Sequence, residues 1–218
     1  MPKLAATFVD AEDSMRLFLM LAAALAVAAP AVAQPAPQPP APLPVRGVVT
    51  KLEATRLTVK PKSGKPVTVD LTPDWTVQVT KPIAVTEIKE GSFIGTSEIP
   101  QADGSGKSLE VHVFPPGVKV GEGHYAWNLR KGSMMTNGTV GKVTAGAKGR
   151  ELQVSYSTGQ RKIVVPPKVP VVQITGGTRP LVKAGVPVFF VAFPKPGAAG
   201  GLITGAVAVG ENGAAPPM

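Results

Sequence analysis

The residues with the greatest chemical capacity in this 218-residue chain gather in one stretch. Between Pro115 and Thr136 (PPGVKVGEGHYAWNLRKGSMMT) stand His124, Tyr125, Trp127, Met134 and Met135. With His112 just upstream they offer two imidazoles and two thioethers, a soft donor set that suits copper more than zinc. Glu122 can add an oxygen ligand, but the spacing matches no compact metal motif. The other role for these residues is packing. On that reading Tyr125 and Trp127 fill a junction or seat a ligand, the two methionines pin the segment down, and His124 stands exposed. His112 alternates with Val111 and Val113, so it is expected on the opposite, solvated face of its strand.

Other chemistries have less support. The chain has two His and no Cys, which excludes three-imidazole centres, thiolate sites and disulfides. There is no G-x-S-x-G elbow and no Walker loop. The Gly197–Gly201 stretch lies between strands, where phosphate cradling has no helix to use. Asp70, Asp74, Glu87 and Glu90 read as turn and helix-end residues rather than acid–base pairs. A non-enzymatic protein is therefore expected. The formal charge of +9 attracts anions. An anionic envelope component is a natural partner, alongside a protein or a metal ion. Nucleic acid is not expected, because no run interleaves basic residues with stacking aromatics.

The elements that must position these residues begin with a leader. Leu17–Ala29 is apolar without a break, follows Arg16 and precedes Ala31-Val32-Ala33. This is the pattern of a cleavable signal peptide over residues 1–33. The acidic Asp10, Glu12 and Asp13 ahead of it point to Met15 as the true start. Removing residues 1–33 takes away two basic and three acidic side chains, so the remainder is one charge more positive than +9. No later stretch approaches a membrane span. The product is expected to be periplasmic or secreted. Residues 34–44 (QPAPQPPAPLP) read as a Pro-rich extended tether.

From Val45 the chain becomes short Val- and Thr-rich runs with period-two alternation, separated by turn signals such as Ser63-Gly64 and Asp103-Gly104. Expected strands are 45–53, 56–61, 66–71, 75–80, 93–99 and 109–114. A helical turn over 85–91 ends at Gly91. The pattern then repeats. Gly47 matches Gly138, Leu57-Thr58-Val59 matches Leu152-Gln153-Val154, Gly64 matches Gly159, Gly91 matches Gly185, and Val111–Val113 matches Val207–Val209. Shared turn glycines and shared strand order predict an all-β protein of two tandem modules, each of six strands. Residues 45–115 form the first, 116–135 a linker, 136–210 the second, and 211–218 a flexible tail. Each module is small, so closure into a barrel protects its strand edges. An open sandwich is the alternative.

The succession G-x-V, L-T-V, turn Gly, V-T-V, helical turn ending in Gly, apolar strand and final L-x-V-x-V resembles the bacterial exported family called domain of unknown function 5666. The resemblance is close over 46–114 and looser over 137–209. Gly121–Trp127 (G-E-G-H-x-x-W) is similar to an element of two-repeat members. The resemblance implies small barrels related to OB-type modules and carries no functional residues. The expected function is an exported binding or interaction module. The alternative is a periplasmic, copper-like metal-handling accessory to a transporter. N-terminal sequencing of the exported protein should read Gln34-Pro35-Ala36; a species that retains Leu17–Ala29 would overturn the leader assignment.

Overall fold

Backbone pairing in a computed structural model describes residues 42–198 and 200–218. The expected signal peptide and most of the expected tether lie outside them. Twelve strands follow one another: β1 (Leu43–Glu53), β2 (Arg56–Pro61), β3 (Val67–Pro82), β4 (Phe93–Pro100), β5 (Gly106–Val113), β6 (Gly123–Ala126), β7 (Met134–Gly146), β8 (Gly149–Tyr156), β9 (Gly159–Val165), β10 (Val171–Gly177), β11 (Pro187–Pro194) and β12 (Leu202–Gly210). Only short 3-10 turns accompany them, and no helix among the described residues is long and apolar enough to cross a membrane. The protein is all-β. Leu43 and Pro44, expected in the tether, already belong to β1.

The strands close into rings by an exchange. β1, β2 and β3 pair in antiparallel order, and β1 then pairs β11, β11 pairs β12, and β12 returns to β3 in parallel. The first five-stranded ring thus takes three strands from the first repeat and two from the second. The reciprocal ring joins β7, β8 and β9 to β4 and β5, with a short parallel contact, Gly106↔Ile163 and Lys107↔Val164, closing β5 on β9. β10 spans the two, antiparallel to β3 and parallel to β5. Two self-contained six-stranded barrels, with boundaries at 45–115 and 136–210, are therefore corrected to two five-stranded rings that trade their fourth and fifth strands. Pro40–Met218 accordingly forms a single compact unit.

Two interiors confirm the rings. The first packs Leu57, Val59, Val69 and Trp75 against Val188, Phe190 and Val207. The second packs Ile94, Val111 and Val113 against Leu152, Val154 and Ile163. Truncating a fully buried leucine such as Leu57 or Leu152 to Ala removes roughly 2–5 kcal/mol. Gly47 and Gly138 occupy equivalent places: an added Cβ would lie 2.4 Å from the carbonyl oxygen of Lys60 or Ser155, so no side chain fits there.

Two expected strands, 66–71 and 75–80, fuse into the 16-residue β3. Pro73 is tolerated because it falls in the irregular interval between Leu71↔Thr204 and Thr76↔Ala206, where no ladder N–H is needed, and Arg179 donates to the Pro73 and Trp75 carbonyls there, at 2.9 and 3.0 Å. In the second copy Pro166, Pro167 and Pro170 cannot donate to a ladder, and β9 and β10 stay separate. The 211–218 tail ends with Met218 buried beside Phe93, Phe114, Ile174 and Ala208, a departure from the flexible tail expected.

Exchange of strands makes each half dependent on the other. Cleavage at a protease site introduced between Val118 and Val120, both exposed, should leave two fragments that elute together at the position of the intact chain until denatured. Fragments that separate and each keep full β-sheet circular dichroism would refute the exchange.

Candidate functional site

The linker is shaped by pairing. β6 forms a hairpin with β7, with Gly123↔Asn137, His124↔Thr136, Tyr125↔Met135 and Ala126↔Met134. Opposed residues share a face and successive ones alternate. Tyr125, Met135 and Asn137 therefore face one way, His124 and Thr136 the other. This alternation divides the proposed metal set.

On the first side lies a cavity of about 500 Å³. It sits outside both rings, where the outer wall of β4–β5 faces the outer wall of β11–β12 across the β3–β10 seam. Phe114, Ile174, Phe189, Phe193, Ala206 and Ala208 form much of its lining, Tyr125, Trp127, Met135 and Met218 add to it, and Gln78, His112, Asn137 and Thr204 contribute polar groups. The expected junction residues, Tyr125 and Trp127, are thus brought to a cavity together with His112 and Met135. Burial pushes the Tyr125 phenol up from its ordinary value, so it stays neutral.

His112 does face away from Val111 and Val113, but that face is covered, not solvated. His112 is only 5% exposed, with Phe114 against its ring and Asn137 beside it over Gly95. Its Nδ1 lies 3.0 Å from Glu110 Oε2, and Glu110 Oε1 accepts the Ser97 N–H at 2.7 Å. In the neutral imidazole, donation of Nδ1–H to this carboxylate leaves the lone pair on Nε2. Asn137 Nδ2 donates to the carbonyls of Val120 and Gly121 at 3.2 and 2.9 Å, which fixes the amide orientation. Asn137 Oδ1 and Trp127 Nε1 are buried with no hydrogen-bond partner among the described residues. Arg46 lies behind the wall, between the rings of Trp127 and Phe189 at 5.6 and 5.2 Å, and bonds Met218 O and Asn128. Burial lowers its pKa, and Glu110 opposes that shift.

On the other side, His124 is part-buried rather than exposed. Its Nδ1 lies 2.9 Å from Thr136 Oγ1 and 3.7 Å from Glu98 Oε1, and its ring stacks on Tyr156. Burial, then the Arg161 charge, lowers its pKa. Glu98 is fully buried and ion-paired with Arg161. Burial raises its pKa, against the pull of Arg161. Met134 does not line the cavity either. His124 and Met134 are thus separated from His112 and Met135. Among the described residues no group of three or more His, Asp or Glu side chains gathers to hold a metal ion.

Phe114, Asn137, Phe189, Phe193 and Met218 were missed as site residues. A signal was present in β11: Phe189, Val191 and Phe193 alternate with the core residues Val188, Phe190 and Ala192, so both faces of the strand are apolar. No family model matches the chain, and no curated protein or solved structure matches it either.

Glu98 and Arg161 give a direct test of the buried pair. At neutral pH Arg161→Ala leaves a buried carboxylate uncompensated and should cost about 3–5 kcal/mol. A raised carboxyl pKa means that Glu98 takes up a proton readily as pH falls, so the cost should shrink in acid. Urea unfolding at pH 7 and pH 4.5 measures both; an equal cost at the two pH values would contradict the ion-pair assignment.

Proposed function

We propose that the protein is an exported, non-enzymatic binding module that holds its ligand in the cavity between the two rings. The carrying observation is the cavity itself. It is large enough for a small molecule, its walls are mainly aromatic and aliphatic, and a few polar atoms converge at one place, which is the usual make-up of a ligand site. Among the described residues no hydroxyl is hydrogen-bonded to His112, so the Glu110–His112 pair supports positioning of a ligand over turnover. The leader over residues 1–33 supports export to the periplasm or beyond. A closed five-stranded ring with a parallel closing pair supports a relation to OB-type barrels, and with it the family resemblance to domain of unknown function 5666. The basic surface leaves an anionic envelope component as a docking partner for the whole module.

A second reading, a copper-like metal-handling accessory to a transporter, draws on one feature. Glu110 holds His112 Nδ1 as carboxylates hold metal-ligating imidazoles, and Met135 lines the same cavity. On this reading His112 and Met135 remain as ligands, while His124 and Met134 drop out.

Tryptophan fluorescence tests the binding reading. The chain has two Trp, and only Trp127 lines the cavity, since Trp75 lies in the first ring interior. In a Trp75→Phe variant, the neutral fluorophore N-phenyl-1-naphthylamine should bind at one per chain and quench Trp127 by energy transfer. Absence of saturable quenching would overturn the reading, whereas one tightly held copper ion per chain would favour the alternative.

A further inference from the structure

The two walls of the cavity are corresponding parts of the two repeats, and they have become chemically opposite. In the β7–β4–β5 wall, Asn137, Gly95 and His112 stand side by side across three strands. In the β1–β11–β12 wall, the same three places are taken by Arg46, Phe189 and Ala208. Phe189 stands where the other wall has Gly95, and Ala208 where it has His112. One wall is apolar, with Arg46 turned under the Phe189 ring. The other is hollowed at Gly95 and carries polar atoms into the hollow.

That hollow is specific. A Cβ on Gly95 would fall 2.0 Å from His112 Nε2 and 2.4 Å from Asn137 Oδ1. The two atoms therefore share the space that a side chain would have filled. Both are acceptors. In the neutral imidazole, His112 Nδ1–H donated to Glu110 leaves the lone pair on Nε2, and Asn137 has committed its Nδ2 to Val120, Gly121 and the Tyr125 hydroxyl. Asn137 Oδ1 is buried with no hydrogen-bond partner among the described residues, and His112 is only 5% exposed. A buried acceptor without a donor is costly, and a ligand that supplies the donor recovers that cost. An ionised carboxylate does the reverse, bringing negative charge to two acceptors with Glu110 behind them. Arg46, whose charge interacts with that of Glu110, is not among the lining residues, and the donors that do line the cavity, Trp127 and Gln78, stand apart from the Asn137–Gly95–His112 row.

We infer that the cavity takes an uncharged, mainly apolar molecule whose polar end is a hydrogen-bond donor, a hydroxyl or N–H group, seated over Gly95 against His112 and Asn137. The inference rests on the cavity being a ligand site, and its test separates the two. N-phenyl-1-naphthylamine bound to the mature chain is displaced in turn by 1-decanol, by its methyl ether and by decanoate. The alcohol should displace the fluorophore at a concentration about tenfold or more below that of the ether, with decanoate weakest. Equal potency of alcohol and ether, or decanoate as the best competitor, would overturn the donor-end assignment while leaving the binding site intact. A fluorophore that fails to bind would remove both. Replacing Glu110→Gln and His112→Leu together removes the acceptor and the buried charge that orients it, and should bring alcohol and ether to within about twofold of each other. Persistence of the full preference in that variant would refute the role given to His112.

Discussion

Closure of each ring requires a strand pair that its own repeat does not supply. β3 needs β12, and β9 needs β5, before either ring is without a free edge. The same requirement that protects a small β protein from edge-to-edge association here binds the two repeats together. It also fixes their relative placement. With β4–β5 built into one ring and β11–β12 into the other, the β3–β10 seam holds the outer walls of these two hairpins face to face. The cavity is a consequence of that geometry, and the β6–β7 hairpin and Met218 cover what the walls leave open.

Inside the rings the two repeats stay alike, because a closed ring admits little variation. Leu57 and Leu152 are both fully buried, as are Val59 and Val154, and Gly47 and Gly138 meet carbonyl oxygens at the same distance. Outward-facing positions bear no such constraint. There Gly95 stands opposite in kind to Phe189, and Asn137 to Arg46. The difference between the copies is therefore concentrated where it changes the cavity and spares the cores.

Much of this was legible in the sequence. Period-two alternation and turn signals placed most strands within a few residues, and the repeat predicted two equivalent cores. The exchange was not legible, for a physical reason. β4 paired with β1, or with the equivalent β7, buries the same side chains on the same face with the same turns. Pattern alone does not distinguish the two pairings. Tyr125 and Trp127 were recognised as a junction pair by their rarity. His112 was given its correct direction and the wrong surroundings, because Asn137, beside it over Gly95, comes from the other repeat. The grouping of His124 with Met135 failed on alternation: β6 pairs with β7, and period two sends them to opposite sides.

Two carboxylates lie buried in the β4–β5 hairpin, and they serve different ends. Glu98 has Arg161 as its partner, and burial still raises its pKa, so the pair is a costly way to hold β4 against β9. A buried ion pair of this kind adds little net stability compared with apolar packing of the same volume. Its plainer effect is to fix where β9 meets β4, at the end of the ring where the β5–β9 closure is only two residue pairs long. Glu110 faces outward, accepting from Ser97 N–H and His112 Nδ1. In the neutral imidazole this contact places the proton on Nδ1 and presents Nε2 to the cavity as an acceptor. A carboxylate buried behind the wall thereby sets the polarity of the hollow at Gly95, in a cavity lined mainly by aromatic and aliphatic side chains.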